Sequence, residues 1–274
     1  MPQNTFEIVQ FLTIDAQRMA YRRTGVGTPV VLLHGIPTNS LLWRKVQRTL
    51  AANHEVIAPD LIGYGHSAKP LDVDPSVANQ AGWVASFVET CDVGPVVLVG
   101  HDIGGGVAQL VAANRPELVD RLVLVDTIAY DSWPEPNIAR LKDPKWDERF
   151  ENIDLRAGFQ RGLQFGMVDR DLATEDLAAL YADPFMAAGA ASYLRVARAL
   201  RTADTVDATP AIEAIAIPTT IVWGAEDPYQ DPAYGRLLAD NLLDARLVLL
   251  EGVGHFVPEE APGELAAVVA GRSA

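Results

Sequence analysis

Short apolar runs rich in β-branched residues alternate along the chain with longer segments of helical periodicity, and this rhythm predicts parallel β-α-β units. Phe6 to Ile14 and Gln17 to Thr24 read as an opening antiparallel pair around Asp15-Ala16. Six further runs are each short enough to be a buried strand: Val30-Val31-Leu32-Leu33, Val56-Ile57-Ala58, Val96-Val97-Leu98-Val99, Leu122-Val123-Leu124-Val125, Thr219-Thr220-Ile221-Val222-Trp223 and Leu247-Val248-Leu249-Leu250. That makes eight strands. Helices fit between them at Ser40 to Ala51, Ser76 to Cys91, Ile103 to Asn114, Pro232 to Leu243 and Glu259 to Ala270, with Gly94 and Pro116 as nearby stop signals.

One interval breaks the rhythm. Between Val125 and Thr219 no run reads as a strand, and residues 129–210 hold Pro-punctuated helical pieces, notably Leu155 to Met167, Thr174 to Tyr181 and Met186 to Ala203. No Gly/Ser-rich linker flanks the interval, so it is read as a helical cap inserted after the sixth strand. The expected fold is α/β: an eight-stranded, mostly parallel sheet flanked by helices, with residues 1–128 and 211–274 as core and 129–210 as cap.

Composition narrows the function classes. A chain of 274 residues, 49% hydrophobic, can bury a large core as one α/β unit with an insertion. Its net charge of −14 repels phosphate backbones and anionic membranes, which excludes nucleic acid as an expected partner. The start Met1-Pro2-Gln3-Asn4 lacks a basic-then-apolar leader, and no apolar run approaches the roughly 20 residues a membrane span needs, so a cytoplasmic location is expected. The single Cys91 is expected to pack rather than react, since no His lies near it in sequence. Trp43, Trp83 and Trp223 fall in predicted core elements and are expected to pack as well.

The chemistry concentrates at Val97-Leu98-Val99-Gly100-His101-Asp102-Ile103-Gly104-Gly105-Gly106. This is a buried strand, a tight Gly-x-nucleophile-x-Gly turn and a helix start, a setting that holds one residue exposed at a strand end. Here that residue is Asp102. A serine there attacks acyl carbon to give an ester, whereas a carboxylate attacking acyl carbon gives a reactive anhydride. Attack on an sp³ carbon instead gives a stable ester, which points to epoxides, alkyl halides or haloacids. The Gly-rich turn lacks the Lys and the spacing of a phosphate-binding loop.

With His34-Gly35-Ile36-Pro37, Asp60-Leu61-Ile62-Gly63-Tyr64-Gly65-His66-Ser67, Gly100-His101-Asp102-Ile103-Gly104-Gly105, Gly224-Ala225-Glu226-Asp227-Pro228 and Gly254-His255-Phe256, the chain resembles the α/β-hydrolase superfamily from about Phe6 to Ala270. Within it the resemblance is to the aspartate-nucleophile branch of epoxide hydrolases, haloalkane dehalogenases and fluoroacetate dehalogenases. The expected substrate is a small apolar or amphipathic organic molecule together with water, and no cofactor or metal is called for.

The resulting ester must be hydrolysed by water, which needs a general base, and His255 on the loop past the last strand is the candidate. His34 and His101 flank the Gly turns and are expected to serve loop hydrogen bonding, while His54 and His66 fall in other loops. An imidazole base needs a carboxylate partner. Asp227, 28 residues before His255, is preferred; Asp126, 24 residues after Asp102, is the alternative. The backbone N–H groups of Ile36 and Ile103 are the expected oxyanion donors, and the resemblance implies a cis Ile36–Pro37 bond.

The leaving group separates the readings. Resemblance to the dehalogenases would put halide-binding or carboxylate-binding side chains beside the nucleophile, where this chain has Ile36, Ile103 and Gly106. An epoxide oxygen leaves as a basic alkoxide and needs a donor, the role of cap tyrosines in epoxide hydrolases, for which Tyr193 is the better candidate and Tyr181 the second. Trp146, Trp133 and Tyr130 are further pocket candidates, and a Trp146 N–H would suit a halide. The leading expectation is an epoxide hydrolase-like enzyme. A haloalkane or haloacid dehalogenase is the alternative, and the fold also hosts non-hydrolytic receptors and cofactor-free oxygenases.

Overall fold

A computed structural model describes residues 8–151 and 153–272, so the Phe6-Glu7 part of the first predicted strand lies outside the described residues. Eight strands form one sheet: β1 (Gln10–Ile14), β2 (Gln17–Thr24), β3 (Thr28–Leu33), β4 (His54–Pro59), β5 (Val96–His101), β6 (Val119–Val125), β7 (Thr219–Gly224) and β8 (Ala245–Leu250). Their order is β1-β2-β4-β3-β5-β6-β7-β8. β2 pairs antiparallel with both β1 and β4, and every other pairing is parallel. The inner strands read as unbroken apolar runs because both of their faces are covered: Val30 to Leu33, Val56 to Ala58 and Leu122 to Val125 are fully buried. β8, at the sheet edge, is only half-buried.

Helix placement follows from chain direction. α1 (Arg44–Leu50) links β3 to β4 one way along the sheet, while α2 (Val77–Cys91) and α3 (Ile103–Asn114) link β4 to β5 and β5 to β6 the other way. Right-handed crossovers therefore put α1 on one face and α2 with α3 on the other. The last helix, Pro262–Val269, packs on α1, and α2 packs on α3. Trp43 and Trp223 are fully buried and Trp83 packs half-buried against the core, as their positions suggest. Cys91 is half-buried at the end of α2, and burial pushes its thiol up to about 11, the behaviour of a packing residue.

Three helix expectations are corrected. Ser40 to Ala51 is split: Asn39 caps a 3₁₀ turn at Ser40–Trp43, its side chain accepting from Leu41 N at 3.0 Å, and α1 starts only at Arg44. The Glu259–Ala270 segment breaks before Pro262, which lacks the N–H a continuing helix requires. Met186 to Ala203 is not one helix. Thr174 caps a helix Glu175–Ala187 that runs through Met186, the chain reverses at Gly189 with φ 89°, and a new helix spans only Ala191–Arg198. Between β6 and β7 the described residues hold helices and turns but no strand.

Candidate active site

The crossover direction reverses between β3 and β5, and in an open α/β sheet the crevice beyond the strand ends at such a point is where a site forms. The two segments leaving those ends are Gly35-Ile36-Pro37 and the turn at Asp102. Asp102 holds φ 52°, ψ −121°, a backbone conformation few side chains adopt, at the junction of β5 and α3. The turn is tight enough that a Cβ on Gly100 would run into the Gly104 carbonyl, and one on Gly35 would lie 2.5 Å from Asp102 Oδ1. Gly35 thus lets the third-strand loop close over the carboxylate. Ile36 N–H donates to Asp102 Oδ1 at 2.9 Å, and the Ile103 N–H adds a second backbone hydrogen bond. Burial still prevails and raises the Asp102 carboxyl above its ordinary value. The Ile36–Pro37 bond is cis.

His255 lies on the loop after β8, its backbone N–H anchored to Gly166 O at 2.7 Å, and its ring lines the same cavity as Asp102. Nδ1–H donates to Asp227 Oδ2 at 2.8 Å, which leaves Nε2 as the acceptor nitrogen. Burial by itself lowers the imidazole pKa, but the Asp227 charge and hydrogen bond, with Asp102 and Asp126 adding, outweigh it and hold His255 up at about 9. Asp227 Oδ1 is itself fixed by the N–H groups of Tyr229 at 2.7 Å and Gln230 at 3.0 Å. Asp126 makes no hydrogen bond to His255 among the described residues. Its Oδ1 accepts from Gly224 N at 2.8 Å, and burial followed by the Asp227 charge pushes its pKa well above the carboxylate range.

The other buried imidazoles are structural. His34 Nδ1–H donates to Gly35 O at 2.9 Å and its Nε2 accepts from Leu61 N at 3.0 Å. His101 Nε2–H donates to the His255 carbonyl at 2.9 Å, its ring 4.8 Å from the His255 ring. Burial holds both below the ordinary histidine value, so they support the loops as neutral rings.

A cavity of about 560 Å³ opens above Asp102 and gathers Ile36, Ile103, His255, Tyr181, Tyr193, Trp133 and Trp146 in its wall. Tyr193 stands among Phe150, Phe159 and Phe185, with ring centroids at 6.0, 5.1 and 5.5 Å, and its hydroxyl makes no hydrogen bond among the described residues. Burial, with the negative charges of nearby groups, raises its pKa. Tyr181 is differently committed: its hydroxyl donates to Glu259 Oε1 at 2.7 Å, and buried Glu259 is also held by Arg44 and Lys45. Trp133 Nε1 is taken by Thr205 Oγ1 at 2.7 Å, whereas Trp146 Nε1 is buried without a partner among the described residues. The expectation that Tyr130 belongs to the pocket is corrected. With φ 49° it turns away from the cavity wall and donates to Glu213 Oε1 at 3.2 Å.

Tyr229, Phe256 and the Glu259 cluster were not anticipated. Tyr229 lies two residues past Asp227, stacks edge-on at 5.1 Å from His255 and donates to Gly162 O at 2.9 Å, so proximity to the acid was its available signal. Among the described residues no cluster of three or more metal-ligating side chains occurs.

The family model for the alpha/beta hydrolase fold matches residues 28–262. A soluble epoxide hydrolase from Corynebacterium sp. is 32% identical over 267 residues, covering 91% of each chain. A 2-hydroxymuconate semialdehyde hydrolase from Pseudomonas sp. is 29% identical over 283 residues, covering 98% of this chain and 94% of its own. The crystal structure of an alpha/beta hydrolase fold protein from Burkholderia ambifaria superposes with a TM-score of 0.87 at 26% identity, covering 96% of this chain and 97% of that one. The two named enzymes among these relatives carry different activities in their names, so similarity at this level supports the family and not a substrate. With its sheet order, its strand-end site and a family match spanning most of its length, the chain belongs to the α/β-hydrolase fold family and is a hydrolase of that class.

Proposed function

We propose that this chain is an epoxide hydrolase working through an alkyl ester on Asp102, with residues 129–210 as the cap over the reaction centre. The observation that carries this is a carboxylate at the nucleophile turn, its Oδ1 on the Ile36 amide, sharing a cavity with the Asp227-held His255 and an unbonded tyrosine hydroxyl. Asp102 Oδ2 attacks an oxirane carbon and the C–O bond breaks. Tyr193 Oη–H donates to the departing oxygen; its raised pKa brings the phenol closer to that of the alcohol being formed.

Ester formation removes the Asp102 charge, one of the carboxylates that hold the imidazolium, so His255 falls toward its neutral form when a base is needed. Its Nε2 takes a proton from water as the water oxygen bonds to Cγ of Asp102. Charge gathers on Oδ1, against the Ile36 and Ile103 N–H groups. Collapse breaks the ester bond, His255 returns the proton to the diol oxygen, and the water's second proton, left on the reformed Asp102 carboxyl, passes to Tyr193, which restores the carboxylate and the phenol. Tyr181, donated to Glu259, is not placed for the donor role.

Halide displacement is the second reading, favoured by the unpartnered Trp146 indole N–H in the cavity wall. Against it stand the apolar side chains of Ile36 and Ile103. One experiment separates the two. His255→Ala is incubated with a panel of epoxides and haloalkanes and its intact mass recorded. A gain equal to the whole epoxide, mapped to Asp102, is the expected result; gain of an alkyl group without its halogen selects the second reading, and no adduct from any member defeats both. In the active protein, Tyr193→Phe should slow epoxide opening by about 10²–10³-fold, with a smaller loss for Tyr181→Phe, read as single-turnover rates. An unchanged rate in Tyr193→Phe removes that tyrosine from the mechanism.

A further inference from the structure

Of the Asp, Glu, Arg and His side chains among the described residues that line the cavity, Glu135, Arg140 and Arg161 have no part in the chemistry above. Arg140 and Arg161 are exposed to solvent as well as lining the cavity, so they stand at its mouth, as does Phe165 at 57% exposure. Neither guanidinium makes an ion pair or hydrogen bond among the described residues. Arg140 only rests over the Trp146 ring at 5.2 Å. Elsewhere in the inserted helices Arg156, Arg198 and Arg201 are each paired with an aspartate. Glu135 pairs with neither guanidinium among the described residues: its two oxygens accept from the backbone and side-chain N–H groups of Asn137 at 2.8 and 2.7 Å.

The space between mouth and floor has its own shape. Ile138, Leu141, Phe150, Leu155 and Phe159 make its wall apolar. Helix Leu155–Gly166 carries Gly158 in its second turn, where glycine costs helix stability. A Cβ there would meet nothing within 4 Å, so close packing does not require the glycine, and the open volume in front of it belongs to the cavity. An aliphatic chain can lie along this helix toward Arg161. In a protein of net charge −14, two unpaired arginines at the end of an apolar channel form a local attractor for an anion, and the planar guanidinium fork matches a carboxylate.

Resting on the reading that Asp102 is alkylated, we infer that Arg140 and Arg161 form a carboxylate-recognition subsite at the cavity mouth. It selects substrates with the reactive carbon at one end of an aliphatic chain and a carboxylate at the other.

The test compares ω-epoxyundecanoic acid with its methyl ester, in the wild type and in the Arg140→Gln/Arg161→Gln double variant. The wild type is expected to favour the acid in kcat/KM by about tenfold or more, the scale of one charge-assisted hydrogen bond, and the double variant to bring the ratio near one. Each ratio is read within one protein, so a change in the folded fraction cancels. A wild-type ratio of one or below, or an unchanged ratio in the double variant, overturns the inference. If neither epoxide is turned over, the epoxide reading of the site has failed, and binding of undecanoic acid against methyl undecanoate, followed by calorimetry, decides the subsite separately. Tighter binding of the acid that the double variant abolishes upholds it; equal binding or none defeats it.

Discussion

Asp102→Ala is expected to lower epoxide turnover by at least about four orders of magnitude while leaving the protein folded, because the cavity holds no substitute nucleophile. Among the described residues its wall contains no serine, threonine or cysteine, and its one other carboxylate, Glu135, accepts from Asn137 with both oxygens. Cys91 sits on α2 with its thiol pushed up to about 11, so it stays protonated at neutral pH. The side chain being removed is small, and the Ile36 and Ile103 amides it leaves face a cavity that water can fill. Diol formation by chromatography and a thermal melt together check the prediction. A variant that keeps more than about 1% of turnover at unchanged melting would sink the ester mechanism. The wild type adds a test by pH. Only the ionised carboxylate attacks, and burial raises the Asp102 pKa, so the acid limb of single-turnover alkylation should lie above the ordinary value of 3.8.

The second large effect falls on the other half of the reaction. Asp227→Asn should slow ester hydrolysis by about 10⁴-fold with little change in alkylation, so a covalent intermediate accumulates and is seen by mass. An asparagine can offer N–H rather than a charge to His255 Nδ1, which favours the tautomer whose Nε2 carries a hydrogen and cannot accept water's proton. Asp126 is not expected to rescue the variant, because Gly224 N–H holds its Oδ1 and it makes no hydrogen bond to His255 among the described residues, while burial raises its carboxyl above the ordinary value. Hydrolysis at the wild-type rate in Asp227→Asn, lost on adding Asp126→Asn, would transfer the role to Asp126. Stability offers an independent readout. The His255 pKa is raised from 6.5 to about 9, so the pair stabilises the fold fully below pH 6.5, and that contribution is lost as pH rises through about 9. The melting difference between wild type and Asp227→Asn should therefore shrink over that window.

The strands at the middle of the sheet were readable because they are buried on both faces and so must be apolar throughout. The turn at Asp102 was readable because the Gly100 and Gly104 contact demands small residues on both sides of it, and His255 was a candidate because it follows a candidate nucleophile and acid in chain order. The choice between Asp227 and Asp126 was harder. Both follow strand ends, and what turns Asp126 aside while Asp227 meets His255 is a backbone amide, Gly224 N–H, that no side-chain pattern announces. Helix 186–203 was misjudged because apolar periodicity continues across Gly189, where a positive φ and not a change of pattern ends the helix. The mouth was illegible for a related reason. Arg140 and Arg161 come from a short turn and from a different helix, and only the fold brings both into the wall of one cavity. Glu259 reads as an ordinary acidic residue in a helical first turn, yet it is buried against Arg44, Lys45 and Tyr181, a pairing visible only once α1 and the inserted helices meet.

The hold of the Ile36 N–H on Oδ1 makes the two atoms of the Asp102 carboxylate inequivalent before any substrate arrives. On the alkyl-ester reading, the free oxygen departs in the diol, the incoming water oxygen takes its place, and the gripped oxygen never leaves. Each product molecule then carries an atom drawn from water one cycle earlier, so the first diol made in isotopically heavy water is light and the next is heavy. The enzyme itself ends with one heavy oxygen on Asp102, however long it runs. The loop that seats the nucleophile thus gives the protein a one-cycle memory of its solvent, which is erased only if the carboxylate turns over in its seat between cycles.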